Sequence, residues 1–231
     1  MSRGGLVNYM KRHLDEELKK LNMNLLTMAT LVEEAIHQSV EALKKQDKDL
    51  AGKVIDGDQQ IDEWEIRIEE EIIDLLVLFQ PMAGDLRFIT TGMHINAELE
   101  RIADLTVNIA QRVLDIADQP LLKPLQDIQK LAEQAKWMLK KTIDAFVKRD
   151  GEIAKTVIFA DKTSNQLRTM IIKELVEDFM VKDGTTAPRA VPLLLVARDL
   201  ERICDHAVSI AEDTIYMVEA KMVKHHPERI K

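Results

Sequence analysis

Apolar residues recur at intervals of three and four along most of the chain, as on one face of an α-helix. Leu14, Leu18, Leu21 and Leu25 form one such run. Aromatic residues make up only 4% of the 231 residues, and there are just 8 glycines and 6 prolines, a composition that favours long helices over sheets. The pattern predicts six helices, over residues 7–45, 47–79, 81–117, 121–148, 150–181 and 185–223.

The chain contains an internal repeat. Residues 98–110 read ELERIADLTVNIA and residues 199–211 read DLERICDHAVSIA, and a similar likeness joins residues 47–58 to residues 150–161. Each half therefore holds three helices, and short connections make neighbouring helices antiparallel. The sequence predicts an all-α protein of two tandem, related three-helix bundles. They would cover residues 1–119 and 120–231 and pack on each other, because no long flexible linker separates them.

Each copy of the repeat places a glutamate and an aspartate four residues apart, on one face of its helix. These residues are Glu100 with Asp104 and Glu201 with Asp205. Like charges at this spacing repel each other, so their duplication indicates a site for a cation. The preceding helix of each half carries further candidates at matching positions, namely Asp58 and Asp62 in the first half and Asp161 in the second.

Four carboxylates on facing helices of the first half would form an all-oxygen site suited to Mg²⁺, Mn²⁺, Ca²⁺ or iron. A structural zinc site would normally include cysteine or histidine, and neither accompanies these acids. Asn165 takes the place of the second aspartate in the second half, so we expect that half to hold metal less firmly. The alternative is a metal-independent helical adaptor whose acids meet arginine or lysine of a partner.

Other polar residues lie beside the acids. Arg101 and Arg202 directly follow the motif glutamates, about 100° round the helix, and are predicted to pair with a neighbouring helix or with the other half. His94 and His206 fall off the acidic face and are expected to pack near it or support it. The single cysteine, Cys204, is predicted to be a small core residue in a protein of a reducing compartment.

Two sequence features together resemble the PhoU family of phosphate-uptake regulators. The first is the pattern ERI-x-D-x-x-x-N/S-I-A, present twice, and the second is QPMAGDLR at residues 80–87. The resemblance implies a cytoplasmic, non-catalytic homodimer that negatively regulates the phosphate regulon. It also implies contacts with the ATPase subunit of the phosphate ABC transporter and with the phosphate-sensing histidine kinase.

The resemblance further implies metal ions at the acidic motifs: iron, zinc, manganese or magnesium. Their ligands would be Glu100, Asp104, Glu201 and Asp205, supported by Asp58, Asp62 and Asp161.

Several classes of protein are disfavoured. A net charge of -8 with interleaved signs argues against nucleic-acid binding. No apolar stretch is long enough to cross a bilayer, so a cytoplasmic protein without membrane insertion is expected. A ferritin-type di-iron enzyme needs Glu-x-x-His on two helices, whereas this spacing occurs once, at Glu34 and His37. The sequence contains neither a phosphate-binding loop nor a Cys-x-x-Cys motif, either of which would have indicated another catalytic class.

Overall fold

The computed structural model of the protein describes the backbone of residues 3–224 and the side chains of residues 12–224. Its six α-helices confirm the predicted all-α fold. They are α1 (Arg3–Lys45), α2 (Lys48–Phe79), α3 (Ala83–Ile116), α4 (Gln126–Lys148), α5 (Gly151–Glu174) and α6 (Ala187–Glu219). The tail residues His225, His226 and Pro227, for which the sequence predicts a solvated end, lie outside the described residues.

Most helix ends lie within four residues of the prediction, and two differ by more. The fourth helix begins at Gln126 rather than 121, because Pro124 disfavours helical backbone in the residue before it. The fifth α-helix ends at Glu174, and the chain continues as one turn of π-helix, Leu175–Met180. A short 3₁₀ turn, Gly184–Thr186, then leads into α6.

The first connection of each half has the same design. Gln46 and Arg149 adopt left-handed backbone, with φ of 53° and 52°. Each is followed by an aspartate that caps the next helix. The Asp47 carboxylate accepts a hydrogen bond from the backbone N–H of Leu50. The Asp150 carboxylate accepts two hydrogen bonds from backbone N–H groups, one of them that of Glu152. These tight turns make α1 antiparallel to α2 and α4 antiparallel to α5.

The two bundles pack on each other mainly through α3 and α6, and α1 also contacts α4. Phe88 of α3 stacks on Phe146 of α4, with ring centroids 4.9 Å apart, and the Arg149 guanidinium lies 4.7 Å above the Phe88 ring. One continuous hydrophobic core therefore runs through both bundles.

The predicted boundary between residues 119 and 120 falls in the segment that joins α3 to α4, and stays a prediction for the limits of two domains. Along the described part of the chain, none of the helices is both long enough and apolar enough to span a membrane.

Candidate metal-binding site

Five carboxylates gather where α2 faces α3 in the first bundle. Asp58, Asp62 and Glu65 come from α2, and Glu100 and Asp104 come from α3. We call these five residues the first acidic cluster. Four of them are the predicted residues, and Glu65 is an addition. Its position three residues after Asp62 continues the same helix face, so the spacing alone could have found it.

The carboxylates of the first acidic cluster are close enough to disturb one another's ionisation. Desolvation, with the charges of Asp62 and Asp104, raises the pKa of Asp58 to about 6. The pKa values of Glu65 and Glu100 are also raised, first by desolvation and then by neighbouring acids that include Asp104. Within the described residues, no ion pair or side-chain hydrogen bond neutralises any of the five. The cluster therefore concentrates negative charge in a partly desolvated groove.

The backbone around the first acidic cluster is held in place by a buried amide. Asn96 of α3 is 3% exposed, and its Nδ2 donates a hydrogen bond of 2.9 Å to the backbone carbonyl of Glu65 on α2. Beneath the acids lie fully buried apolar side chains such as Leu99 and Ile102. The carboxylates thus stand on a rigid, packed pair of helices rather than on loops.

The chemistry of the donors in the first acidic cluster fits a hard cation. All five are carboxylates, the ligands that magnesium, calcium and manganese prefer and that iron accepts. In the part of the chain that the structure describes, however, no three His, Cys, Asp or Glu side chains are already arranged to hold a metal ion. The structure brings the predicted first-half acids onto facing helices, and their role as metal ligands stays a prediction.

The equivalent position in the second bundle lies where α5 faces α6, and it carries Asp161, Glu201 and Asp205. We call these three residues the second acidic cluster. Desolvation, with the charges of Glu201 and Asp161, raises the pKa of Asp205 to about 6. The sequence-predicted acids are again brought to one groove, but their surroundings differ.

Side chains of the protein itself occupy the second acidic cluster. Asp161 Oδ2 accepts a hydrogen bond of 2.8 Å from Asn165 Nδ2. Ser164 Oγ lies 3.0 Å from Asp161 Oδ1 and makes its shorter hydrogen bond, 2.6 Å, to the backbone carbonyl of Asp161. Arg168 Nη2 lies 3.4 Å from Glu201 Oε1 and forms an ion pair with it. Sequence reasoning missed Arg168, although it lies seven residues after Asp161 and so shares its helix face. The second cluster therefore contains a built-in cation and the first does not.

The prediction for Arg101 is wrong. Its Nη1 lies 3.4 Å from Glu98 Oε1, one turn earlier on the same helix, rather than reaching a neighbouring helix. Charged residues three apart on a helix are neighbours, which explains the pairing of Arg101. Burial raises the pKa of Asp199 on α6, and the charges of Arg198, Arg202 and, from α3, Arg112 oppose that rise.

The two histidines join the bundles to each other. His206 Nδ1 of α6 lies 2.5 Å from Glu98 Oε2 of α3, and His94 Nδ1 of α3 lies 3.3 Å from Asp213 Oδ2 of α6. Burial raises the pKa of Glu98, but the hydrogen bond and charge of His206 outweigh it, so the pKa lies below its ordinary value. These residues thus bridge α3 and α6 beside the acidic motifs.

Cys204 is a core residue, as predicted. Its side chain is fully buried, and burial raises the pKa of the thiol to about 12. A neutral buried thiol of this kind acts as a small apolar group. It adds nothing to the oxygen donors of the neighbouring groove.

Fold and site together define a class of protein: an all-helical chain of two related three-helix bundles with acids between the second and third helices of each. The profile of the PhoU domain family matches it twice, over residues 25–113 and 128–214. The chain belongs to the PhoU family.

Relatives and solved structures agree with this assignment. A phosphate-specific transport system accessory protein PhoU homolog of Aquifex aeolicus is 41% identical over 92% of this chain and 96% of its own length. The phosphate-specific transport system accessory protein PhoU of Escherichia coli is 30% identical over 95% of this chain and 91% of its own. The crystal structure of PhoU from Pseudomonas aeruginosa superposes with a TM-score of 0.86 at 33% identity. That match covers 90% of this chain and 99% of the crystallised one.

Proposed function

We propose that this protein is a cytoplasmic, non-catalytic negative regulator of phosphate uptake that acts on a phosphate-specific transport system. Membership of the PhoU family supports the proposal, since relatives that match nearly the whole chain carry the name of an accessory protein of that system.

The proposed partners are the ATPase subunit of the phosphate ABC transporter and the phosphate-sensing histidine kinase, and the protein is proposed to act as a homodimer. Exposed apolar side chains support a role in protein contacts. Ile66, Ile73 and Val77 of α2 are 56%, 49% and 67% exposed. Their spacing of seven and four residues places them along one stripe of the helix. Apolar groups grouped on a surface in this way are typical of interaction sites.

The first acidic cluster is proposed to hold a divalent or iron-type cation: iron, zinc, manganese or magnesium. The single observation that carries this proposal is the set of five facing carboxylates, none of which forms an ion pair with another side chain in the described part of the chain. The cation would supply positive charge to the groove and draw α2 and α3 together. Asp58, Asp62, Glu65, Glu100 and Asp104 would hold it, and the surface presented to partners would depend on it.

The regulatory role is tested by deleting the gene in the bacterium that encodes this chain. We expect a phosphate-regulated reporter to switch on in phosphate-rich medium, and a plasmid copy of the gene to switch it off again. A reporter that stays off after deletion would overturn the proposal.

The role of the cluster is tested with a variant that replaces all five acids by their amides, D58N/D62N/E65Q/E100Q/D104N. Its matched control, D56N/E63Q/E70Q/D74N/D115N, changes five acids elsewhere on the same two helices. Circular dichroism must first show that both variants are folded. Only the control variant should then restore repression of the reporter in the deletion strain and bind the purified ATPase subunit.

A metal-independent adaptor is the second candidate. The lack of a ready three-ligand arrangement among the described residues favours it. It predicts that the cluster variant loses partner binding while chelators leave the binding of the unaltered protein unchanged.

A further inference from the structure

We propose that Arg168 takes the place of the metal ion in the second bundle, so that this chain binds its cation in the first bundle alone. This inference rests on the proposed metal site in the first acidic cluster. The two halves share the motif acids of the third helix but differ in the charge of their grooves.

The two grooves are equivalent position by position. The acids on α2 stand at positions 58, 62 and 65, and the matching positions on α5 are 161, 165 and 168. Asp58 is retained as Asp161, but Asp62 becomes Asn165 and Glu65 becomes Arg168. On the third helix of each half, the glutamate and the aspartate of the motif are both retained. The differences are therefore confined to one helix.

The substitutions change the charge of the groove. The first acidic cluster carries five carboxylates, while the second groove carries three carboxylates and one guanidinium. An arginine side chain stays protonated at any pH at which the protein is folded, so this positive charge is permanent. A metal ion entering the second groove would meet a like charge at close range.

The contacts show that the arginine is seated in the groove. Arg168 forms its ion pair with Glu201, whose side chain is only 13% exposed. The charge of Arg168 also opposes the rise in the pKa of Asp205, so it acts on both motif acids of α6.

The remaining acid of the second groove already has a hydrogen-bond donor. Asn165 Nδ2 donates to Asp161 Oδ2 at 2.8 Å, and the Ser164 hydroxyl lies 3.0 Å from the other carboxylate oxygen and 2.6 Å from the backbone carbonyl of Asp161. Ser164 stands at the position that Ile61 occupies in the first bundle, and the isoleucine side chain cannot donate a hydrogen bond. A metal would have to break these bonds and displace the guanidinium, whereas in the first groove it would relieve repulsion.

Manganese provides a direct test, because the electron paramagnetic resonance signal of free Mn²⁺ reports how much ion remains unbound. Four proteins are compared in equal buffer: the unaltered chain, the five-amide variant of the first cluster, and that variant carrying in addition either R168Q or N165D/R168E. We expect Mn²⁺ binding by the unaltered chain and its loss in the five-amide variant. Binding should return in the two R168 variants, with affinity at least about tenfold above that of the five-amide parent.

A matched control separates the effect of position from that of overall charge. N165D/K173E, in the same five-amide background, has the same net charge as N165D/R168E but keeps Arg168. Lys173 lies on α5 with a side chain 69% exposed and pairs with Glu177. This control should bind no more Mn²⁺ than its parent. Since R168Q adds no negative charge, it serves if N165D/R168E fails to fold by circular dichroism.

Other results would separate the role of Arg168 from the proposed metal site of the first cluster. If the five-amide variant still binds Mn²⁺ with Arg168 in place, or if R168Q gains nothing, the inference is overturned. If the unaltered chain binds no Mn²⁺ but R168Q and N165D/R168E gain binding, the proposed metal site of the first cluster fails while the role of Arg168 stands.

Discussion

Single residues set the difference between the two halves of the chain. Glu65 and Arg168 occupy the same position of the repeat with opposite charges, and each lies on the acid-bearing face of its helix. The sequence predicted the motif acids from their four-residue spacing, and the structure brings them to two grooves. It did not predict the ion pair of Arg168 with Glu201, because a pairing between helices depends on side-chain reach that spacing does not encode.

Cys204 gives a prediction at the scale of one residue. Because the thiol is fully buried, iodoacetamide should not label it in the native protein, while labelling should be rapid and complete in guanidinium chloride. The measurement is the mass of the protein after timed alkylation. Labelling as fast in buffer as in denaturant would show that the α6 core is open in solution.

The helices were largely predictable from the sequence, and their irregular ends were not. Apolar periodicity and helix breakers located all six helices. The π-helical turn Leu175–Met180, which contacts α6, was not predicted, because apolar spacing locates a helix but does not distinguish a π-helical turn from α-helix. The late start of α4 follows from Pro124 and could have been inferred.

The helix caps give a prediction at the scale of the element. Replacing Asp47 or Asp150 by alanine removes the acceptor for backbone N–H groups at the start of α2 or α5. Each change should lower the free energy of unfolding by about 1 kcal/mol, as measured by urea denaturation.

The control for this prediction is asparagine at the same positions, because asparagine caps helices about as well as aspartate. D47N and D150N should lose much less stability than D47A and D150A. Equal losses would mean that charge, and not the cap hydrogen bond, is what these aspartates contribute.

At the scale of the whole molecule, the sequence predicted that the two bundles pack on each other but not how. The interface uses the stacked pair Phe88 and Phe146 and the bond between Glu98 and His206. His206 aligns with Leu105 in the repeat, so the duplication gave no sign that it would bond to Glu98. The packing of α3 on α6 places the two motif helices side by side.

The proposed cation site in the first acidic cluster can be measured directly. The most direct measurement is the metal content of untagged protein by elemental analysis after equal dialysis. The unaltered chain is compared with D58N/D62N/E65Q/E100Q/D104N and with the control D56N/E63Q/E70Q/D74N/D115N. We expect the unaltered chain and the control to retain the same metal in the same amount and the cluster variant to retain none. Equal metal content in all three proteins, or metal in none, would contradict it.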